Sequence, residues 1–152
     1  MEEITRLSVT ALSGLMRDKK LSALEAAQAY LSNIDAAEET IGAYLTVTRE
    51  QALQSAREVD RRRAAGEDLP PLAGVPMGVK DNICTRGIKT TCASRMLENF
   101  VPPYSATAYE KLEKAGCVLL GKTNMDEFAM GSTTESSARR PTRNPVDTAR
   151  VP

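Results

Sequence analysis

The chain has 152 residues, of which 41% are hydrophobic and 26% charged, and its formal net charge is zero. This length suits one domain, and this composition excludes a wholly disordered chain. No stretch approaches the roughly 18 apolar residues that cross a bilayer, and the acidic start Met1-Glu2-Glu3 is unlike a signal peptide. The sequence therefore predicts a cytoplasmic protein without a membrane partner.

The sequence contains no histidine, which excludes several kinds of site from these residues. They cannot form a Ser-His-Asp relay, a Cys-His pair or a His-ligated metal site, so any base must be a lysine, a carboxylate or a thiolate. The cysteines Cys84, Cys92 and Cys117 have no C-x-x-C spacing. They predict neither a zinc site nor a disulfide framework, which fits a reducing compartment, and we expect no metal.

Positive charge accumulates towards the end of the chain. Residues 77–152 carry 11 basic and 8 acidic side chains, against 9 and 12 in residues 1–76, and four of the basic ones are Arg139, Arg140, Arg143 and Arg150. Such arginines can contact phosphate, but no aromatic residues alternate with them. The pattern favours a solvated basic loop or tail over a nucleic-acid site.

The first two predicted helices have recognisable starts. Ser8 is placed to cap a short helix that ends near residues 18–20. Ser22 and Glu25 form the capping-box pattern that begins a second helix. Apolar residues recur along that helix at helical spacing. They predict one apolar face, formed by Leu24, Ala27, Leu31 and Ile34.

Thr48 and Gln51 repeat the capping-box pattern before a third helix, for which Gly66 is the stop signal. Its apolar positions are Leu53, Ala56 and Val59. The intervening residues 41–48 are predicted to be extended or irregular. Residues 1–66 are thus a mainly helical segment.

Residues 67–138 predict the start of an α/β core. Residues 74–83 are typical of a short strand that opens into a loop, with Pro76 at a sheet edge or at the start of the strand. Ser105 is expected to cap a helix that carries Ala108, Leu112 and Ala115, with Gly116 as its C-terminal turn. The apolar run 117–120 predicts a buried strand, followed by a short helix from Asn124 to Met130. Helices alternating with strands favour an α/β layer architecture.

Residues 116–123 (GCVLLGKT) match the phosphate-binding pattern G-x-x-x-x-G-K-[ST]. That loop needs a strand before its first glycine and free backbone N–H groups between the two glycines. Here a predicted helix precedes Gly116, and the four intervening residues are themselves the predicted strand. We therefore expect the match to be accidental.

Lys80 lies at the end of the strand predicted in residues 74–83. Strand alternation places it on the same face as Gly78 and Asn82, and places Asp81 on the other face, so Asp81 is not its expected ion-pair partner. Gly78 leaves space for another segment to approach. A lysine enclosed by apolar residues loses hydration, and its neutral form can activate a serine hydroxyl. The alternative is a lysine that simply extends to water.

Three blocks of the sequence resemble the amidase signature family: residues 71–83 (PLAGVPMGVKDNI), 90–94 (TTCAS) and 121–132 (GKTNMDEFAMGS). Residues 96–104 (MLENFVPPY) are similar to the branch that produces ammonia for tRNA-dependent amidation. The resemblance runs through essentially all 152 residues. It implies an α/β/α fold with a mixed central sheet, of which this chain would hold the N-terminal helices and the first strands. The segments 1–66, 67–138 and 139–152 would all belong to one amidase domain.

The resemblance also implies amide hydrolysis by a Ser-Ser-Lys relay. The lysine of the family's V-K-D-N block corresponds to Lys80, which would take a proton from a bridging serine that activates a nucleophilic serine. Backbone N–H groups would hold the oxyanion. A turn that lines the family's acyl pocket corresponds to Met130, Gly131 and Ser132, for which a plain turn at the end of a helix is the alternative.

The sequence departs from the family pattern in two respects. The family's glycine- and serine-rich stretch, with the bridging serine and then the nucleophile, would follow Pro152, and no serine in residues 132–137 matches it. The family also has an asparagine and then an aromatic-glycine pair where Ser136, Arg139 and Arg140 stand. Because the parts of such a relay act as a unit, we expect the isolated chain to have no glutaminase activity.

For that branch, the resemblance implies glutamine as substrate and two partners, the B and C subunits of an amidotransferase. Ammonia would pass to the B subunit, where ATP-activated glutamyl-tRNA is amidated, so tRNA would be contacted through the complex. This chain would bind no cofactor itself, with ATP and magnesium expected at the B subunit. Two alternatives are a free-standing amidase of the same family and a non-catalytic truncated product.

Overall fold

The computed structural model describes residues 3–152, so Met1 and Glu2 of the acidic start lie outside the described residues. The fold is α/β, with a mixed three-stranded sheet, which confirms the predicted class. Among the described residues, no helix is long and apolar enough to cross a membrane. In chain order the helices and strands are α1 (Val9–Arg17), α2 (Ala23–Ile41), β1 (Tyr44–Val47), α3 (Arg49–Ala64), β2 (Pro76–Lys80), α4 (Thr107–Lys114) and β3 (Val118–Thr123).

The predicted starts of the first two helices are confirmed. The Ser8 hydroxyl accepts a hydrogen bond from the Ala11 N–H at 3.2 Å, which caps α1. At the start of α2, the Ser22 N–H donates to the Glu25 carboxylate at 2.9 Å, and the Glu25 N–H donates to the Ser22 hydroxyl at 3.0 Å. These reciprocal bonds satisfy N–H groups that have no partner within the helix.

The capping box predicted for α3 is wrong, although the helix and its end at Gly66 are confirmed. Thr48 precedes the helix but makes no side-chain cap. Its hydroxyl instead donates to the Leu119 carbonyl at 2.9 Å, and its N–H donates to the Leu120 carbonyl at 2.8 Å. Bonds to β3 therefore occupy this threonine.

The predicted start of α4 is also wrong. The Ser105 hydroxyl accepts from the Arg86 N–H at 3.0 Å, and the helix begins two residues later, at Thr107. Its buried residue is Tyr109, whereas Ala108 and Leu112 are exposed. Covering the large tyrosine ring removes more apolar surface from water than covering the alanine.

The sheet has the strand order β1-β3-β2. β1 pairs with β3 in the antiparallel sense, with Thr46 opposite Lys122 and Val47 opposite Gly121. β2 is an edge strand and begins at Pro76, as predicted for a proline that cannot donate to a central ladder. The predicted buried strand is confirmed and continues to Thr123, with every residue but the last buried.

The chain divides into two compact units, each made from three separate segments. The first unit comprises Met1–Ile34, Thr48–Met77 and Lys111–Leu120. Its core joins small and aliphatic side chains from α1, α2, α3 and β3. The predicted face of α2 lies in it, with Ala27 and Leu31 fully buried and Leu24 and Ile34 packed against them. The second unit comprises Asp35–Val47, Gly78–Glu110 and Gly121–Pro152 and contains the candidate site.

A carboxylate from α3 holds the start of α2 within the first unit. The two oxygens of Asp60 accept the N–H groups of Ala23 and Leu24, at 2.8 and 2.9 Å. We expect Asp60→Ala to lower the free energy of unfolding by about 1 kcal/mol, because a lost helix cap typically has that effect. Urea unfolding checks this value, with Glu50→Ala, on the exposed side of the same helix, as the control. Equal midpoints for the two variants would contradict the prediction.

Candidate active site

Lys80 ends β2 with its side chain exposed, so the expectation that apolar residues enclose it is wrong for this structure. The alternation behind the prediction is nevertheless confirmed, because Val79 and Asp81 are buried while Gly78 and Lys80 are exposed. Among the described residues, no hydrogen bond or ion pair joins Lys80 to another side chain. The Lys80 amine is therefore not occupied by another described side chain and can bind a further group.

Gly78 allows the close approach that its sequence position predicted. A Cβ atom on Gly78 would lie 3.0 Å from the Thr123 methyl group and 3.1 Å from the Tyr44 hydroxyl. Burial raises the pKa of that Tyr44 hydroxyl, and the Glu38 carboxylate raises it further. A larger residue at position 78 would displace this neutral phenol from the face on which Lys80 lies.

The buried lysine of the second unit is Lys122, on β3. Its side chain is 0% exposed, and its ammonium group donates to the Ile83 carbonyl at 2.7 Å and to the Thr90 hydroxyl at 2.9 Å. This is the lysine of the G-x-x-x-x-G-K-T match, and it cannot reach a phosphate from this position. Helix α4 precedes the motif and β3 occupies it, as the sequence predicted for an accidental match.

Asp81 is the acidic partner of Lys122. Its Oδ1 atom lies 3.8 Å from the Lys122 Nζ atom, and both side chains are 0% exposed. Asp81 Oδ2 accepts from the N–H and the hydroxyl of Thr91, at 2.9 and 2.5 Å. Burial lowers the pKa of Lys122, and the Asp81 carboxylate acts in the opposite direction. The pair ties residues 81–83 and 90–91 to β3, directly beside Lys80.

The helix predicted from Asn124 to Met130 is wrong, because only a single 3₁₀ turn forms at Glu127–Ala129. Phe128 and Ala129 have φ values of 51° and 62°, which end any helical path. A second turn of this kind has φ values of 51° at both Cys92 and Ala93. The Phe128 N–H donates to the Cys92 carbonyl at 3.0 Å, which joins the two turns.

The candidate substrate-binding residues Met130, Gly131 and Ser132 follow this 3₁₀ turn and are all exposed. The side chains of Asp126 and Asn124, which precede these three residues, bind the part of the chain that follows them. Asp126 accepts hydrogen bonds from Thr134, Ser136 and Thr133, which lower its pKa. The Asn124 amide donates to the Arg140 carbonyl and to the Thr142 hydroxyl, at 2.7 and 3.1 Å.

Three of the four terminal arginines bind within the protein. Arg139 pairs with Glu98 at 2.7 Å, and Arg150 pairs with Asp147 at 2.8 Å. The Arg140 guanidinium donates to the Glu39 carbonyl at 2.7 Å, at the end of α2. These contacts agree with the preference for a basic loop over a nucleic-acid site. Within residues 3–152, no cluster of three metal-ligating side chains occurs.

The sequence profile of the Amidase family matches residues 25–152. The A subunit of the glutamyl-tRNA(Gln) amidotransferase of Moorella thermoacetica is 56% identical over 150 residues, which are 99% of this chain and 31% of the relative. The structure of the same subunit from Thermotoga maritima has a TM-score of 0.72 and 36% identity, covering 97% of this chain and 29% of the other. For the peptide amidase of Stenotrophomonas maltophilia, the TM-score is 0.86 and the identity 35%, over 95% of this chain and 31% of the other. The chain thus spans about a third of the length of the relatives it matches.

Proposed function

Because the chain belongs to the amidase family, we propose that it is the N-terminal part of a subunit that hydrolyses glutamine. The full-length subunit, meaning a chain that continues past Pro152 to the length of these relatives, would supply ammonia for converting Glu-tRNA(Gln) into Gln-tRNA(Gln). The high identity to the A subunit of glutamyl-tRNA(Gln) amidotransferases supports this choice of substrate.

The position of Lys80 carries the proposal. The Asp81–Lys122 pair fixes the backbone directly after Lys80, while the Lys80 side chain lies on the opposite, open face of β2. A catalytic base must be held in place and must also keep its own nitrogen free of a permanent ion-pair partner. The backbone of Lys80 is held in place and its nitrogen is free of such a partner, whereas Lys122 is occupied by three oxygen atoms.

In the proposed reaction, the Lys80 amine takes a proton from a bridging serine, which takes one from the nucleophilic serine. The nucleophile attacks the side-chain amide carbon of glutamine, the C–N bond breaks, and the proton leaves with ammonia. Water then hydrolyses the acyl-enzyme. Both serines would come from the region after Pro152, which would also cover Lys80. The turn of Met130, Gly131 and Ser132 would contact the substrate.

We propose that the full-length protein works in the cytoplasm with two partners, the amidotransferase B and C subunits. Ammonia would pass to the B subunit, where ATP and magnesium would bind and glutamyl-tRNA would be amidated. This chain would bind no cofactor itself, and it would contact tRNA only through the complex.

The test is ammonia release from glutamine by the full-length protein purified together with the B and C subunits. We expect steady release by the complex and none by residues 1–152 alone, because the lysine lacks its serine partners there. A complex that releases no ammonia from glutamine would overturn the proposed substrate.

A free-standing amidase is the second candidate, favoured by the similarity to solved peptide amidases. The same preparation separates the two, because such an enzyme would hydrolyse a peptide amide without the B and C subunits. A third possibility, a non-catalytic product, would require the full-length protein to hydrolyse neither substrate.

A further inference from the structure

We infer that Asp126 is a positioning residue that sets the shape of the candidate substrate-binding turn, Met130–Ser132. This inference rests on the proposed function, because it gives the turn a substrate to contact. Asp126 itself lies before the turn and is 6% exposed. It would act through the backbone that follows Ser132.

The Asp126 carboxylate accepts four hydrogen bonds from the segment directly after the turn. One oxygen, Oδ2, accepts the N–H groups of Thr133 and Thr134, at 3.0 and 2.8 Å. The other, Oδ1, accepts the N–H and the hydroxyl of Ser136, at 3.2 and 2.8 Å. Each oxygen thus accepts two donors, so the segment is wrapped around the carboxylate.

Gly131 lies against the same carboxylate. A Cβ atom at this position would overlap the Asp126 Cγ atom and would lie 2.6 Å from Oδ1. Non-bonded carbon atoms do not approach so closely, so the carboxylate fills the space that a side chain at position 131 would occupy. The turn is therefore held against Asp126 by close packing and by hydrogen bonds together.

Other contacts fix the chain beyond the segment and, in part, within it. The Ser137 hydroxyl donates to the Asn124 side-chain oxygen at 2.7 Å, and the Asn124 amide holds the Arg140 carbonyl. Between Met130 and Ser136, four of the hydrogen bonds to residues outside the segment are those to Asp126. The others join the Met130 N–H to the Glu127 carbonyl at 3.1 Å, the Glu127 N–H to the Ser136 hydroxyl at 3.2 Å, the Thr142 N–H to the Thr134 hydroxyl at 2.6 Å and the Ser137 N–H to the Thr134 carbonyl at 3.2 Å. The carboxylate is therefore the one side chain that binds three residues of the segment together, namely Thr133, Thr134 and Ser136.

An asparagine at position 126 would keep the size of the side chain but not its acceptors. Its NH₂ group would face either the N–H groups of Thr133 and Thr134 or the N–H and the hydroxyl of Ser136, and of these only the hydroxyl can turn to accept a hydrogen bond. Asp126→Asn should therefore break the hydrogen bonds made by one of the two carboxylate oxygens, without opening a cavity. Asp147→Asn is the matched control, since Asp147 also accepts from its own loop but lies outside the turn.

The experiment uses the full-length protein with its partners and measures kcat and KM, together with amide hydrogen exchange. For Asp126→Asn we expect a KM about tenfold higher, with a smaller change in kcat, because a displaced turn would position the substrate poorly. The amides of Thr133, Thr134 and Ser136 should exchange at least about tenfold faster. Ser136→Ala, which removes one donor, should have a smaller effect, and Asp147→Asn should change neither measurement.

The two proposals fail separately. If the wild type hydrolyses a peptide amide but not glutamine, the proposed function falls, and the KM for the peptide amide then tests Asp126. Faster exchange with an unchanged KM would overturn the positioning role, as would unchanged exchange. A wild type that hydrolyses neither amide would overturn both proposals.

Discussion

Replacing Lys80 by alanine is expected to lower ammonia release by the full-length protein by a factor on the order of 10⁴ or more, since the members of a catalytic relay act as a unit. Lys80→Arg should be equally inactive, because a guanidinium group stays protonated and cannot serve as the base. Ammonia release at saturating glutamine measures the effect. The exposed Lys111 on α4 provides the control, and Lys111→Ala should leave the rate unchanged.

Stability measurements distinguish a catalytic from a structural role for Lys80. Because its side chain is exposed, Lys80→Ala should change the free energy of unfolding by no more than about 0.5 kcal/mol. Activity within tenfold of the wild type in both Lys80 variants would contradict the assignment of the base. So would a loss of activity that merely parallels a loss of folded protein.

Replacing Lys122 by methionine is expected to lower the free energy of unfolding by about 3–5 kcal/mol, the usual result of removing one member of a buried ion pair. The change leaves Asp81 buried beside an apolar side chain, with its Oδ1 atom already lacking a hydrogen-bond partner. It also removes the donor to the Ile83 carbonyl and the Thr90 hydroxyl. Urea unfolding of the chain gives this value.

The double variant Asp81→Asn with Lys122→Met identifies the cause of that loss. Removing both charges should restore part of the stability, because the remaining asparagine carries no unpaired charge and can still accept from Thr91. Lys111→Met makes the same chemical change on the surface and should alter stability by less than about 0.5 kcal/mol. A Lys122→Met variant as stable as Lys111→Met would show that the buried pair does not stabilise the fold.

Capping residues in the sequence predicted a helix start correctly where the group that they bind lies within a few residues of them. Ser8 and the Ser22–Glu25 pair bind N–H groups of their own helices. Thr48 and Ser105 have the same residue types, yet their hydroxyls bind distant backbone groups. Nothing in the local pattern distinguishes these cases, since the competing partner arrives only through the tertiary fold.

For the site, alternation along β2 correctly placed Lys80 and Asp81 on opposite faces, but burial was assigned to the wrong lysine. A signal for Lys122 was present, because it shares a strand face with Val118 and Leu120. A lysine on that apolar face requires an acidic partner, and Asp81 directly follows the neighbouring strand. The role of Asp126 depends on a turn of the chain that helical spacing does not predict, since Phe128 and Ala129 have positive φ.

The paired turns at Cys92–Ala93 and Phe128–Ala129 have a consequence for how this region can move. Left-handed backbone is unfavourable for residues with a side chain, so each turn persists only while its surroundings enforce it. The hydrogen bond from Phe128 to Cys92 makes each turn part of the other's surroundings. Relaxation of one turn should therefore release the other turn, so that the two would open and close together in one cooperative step.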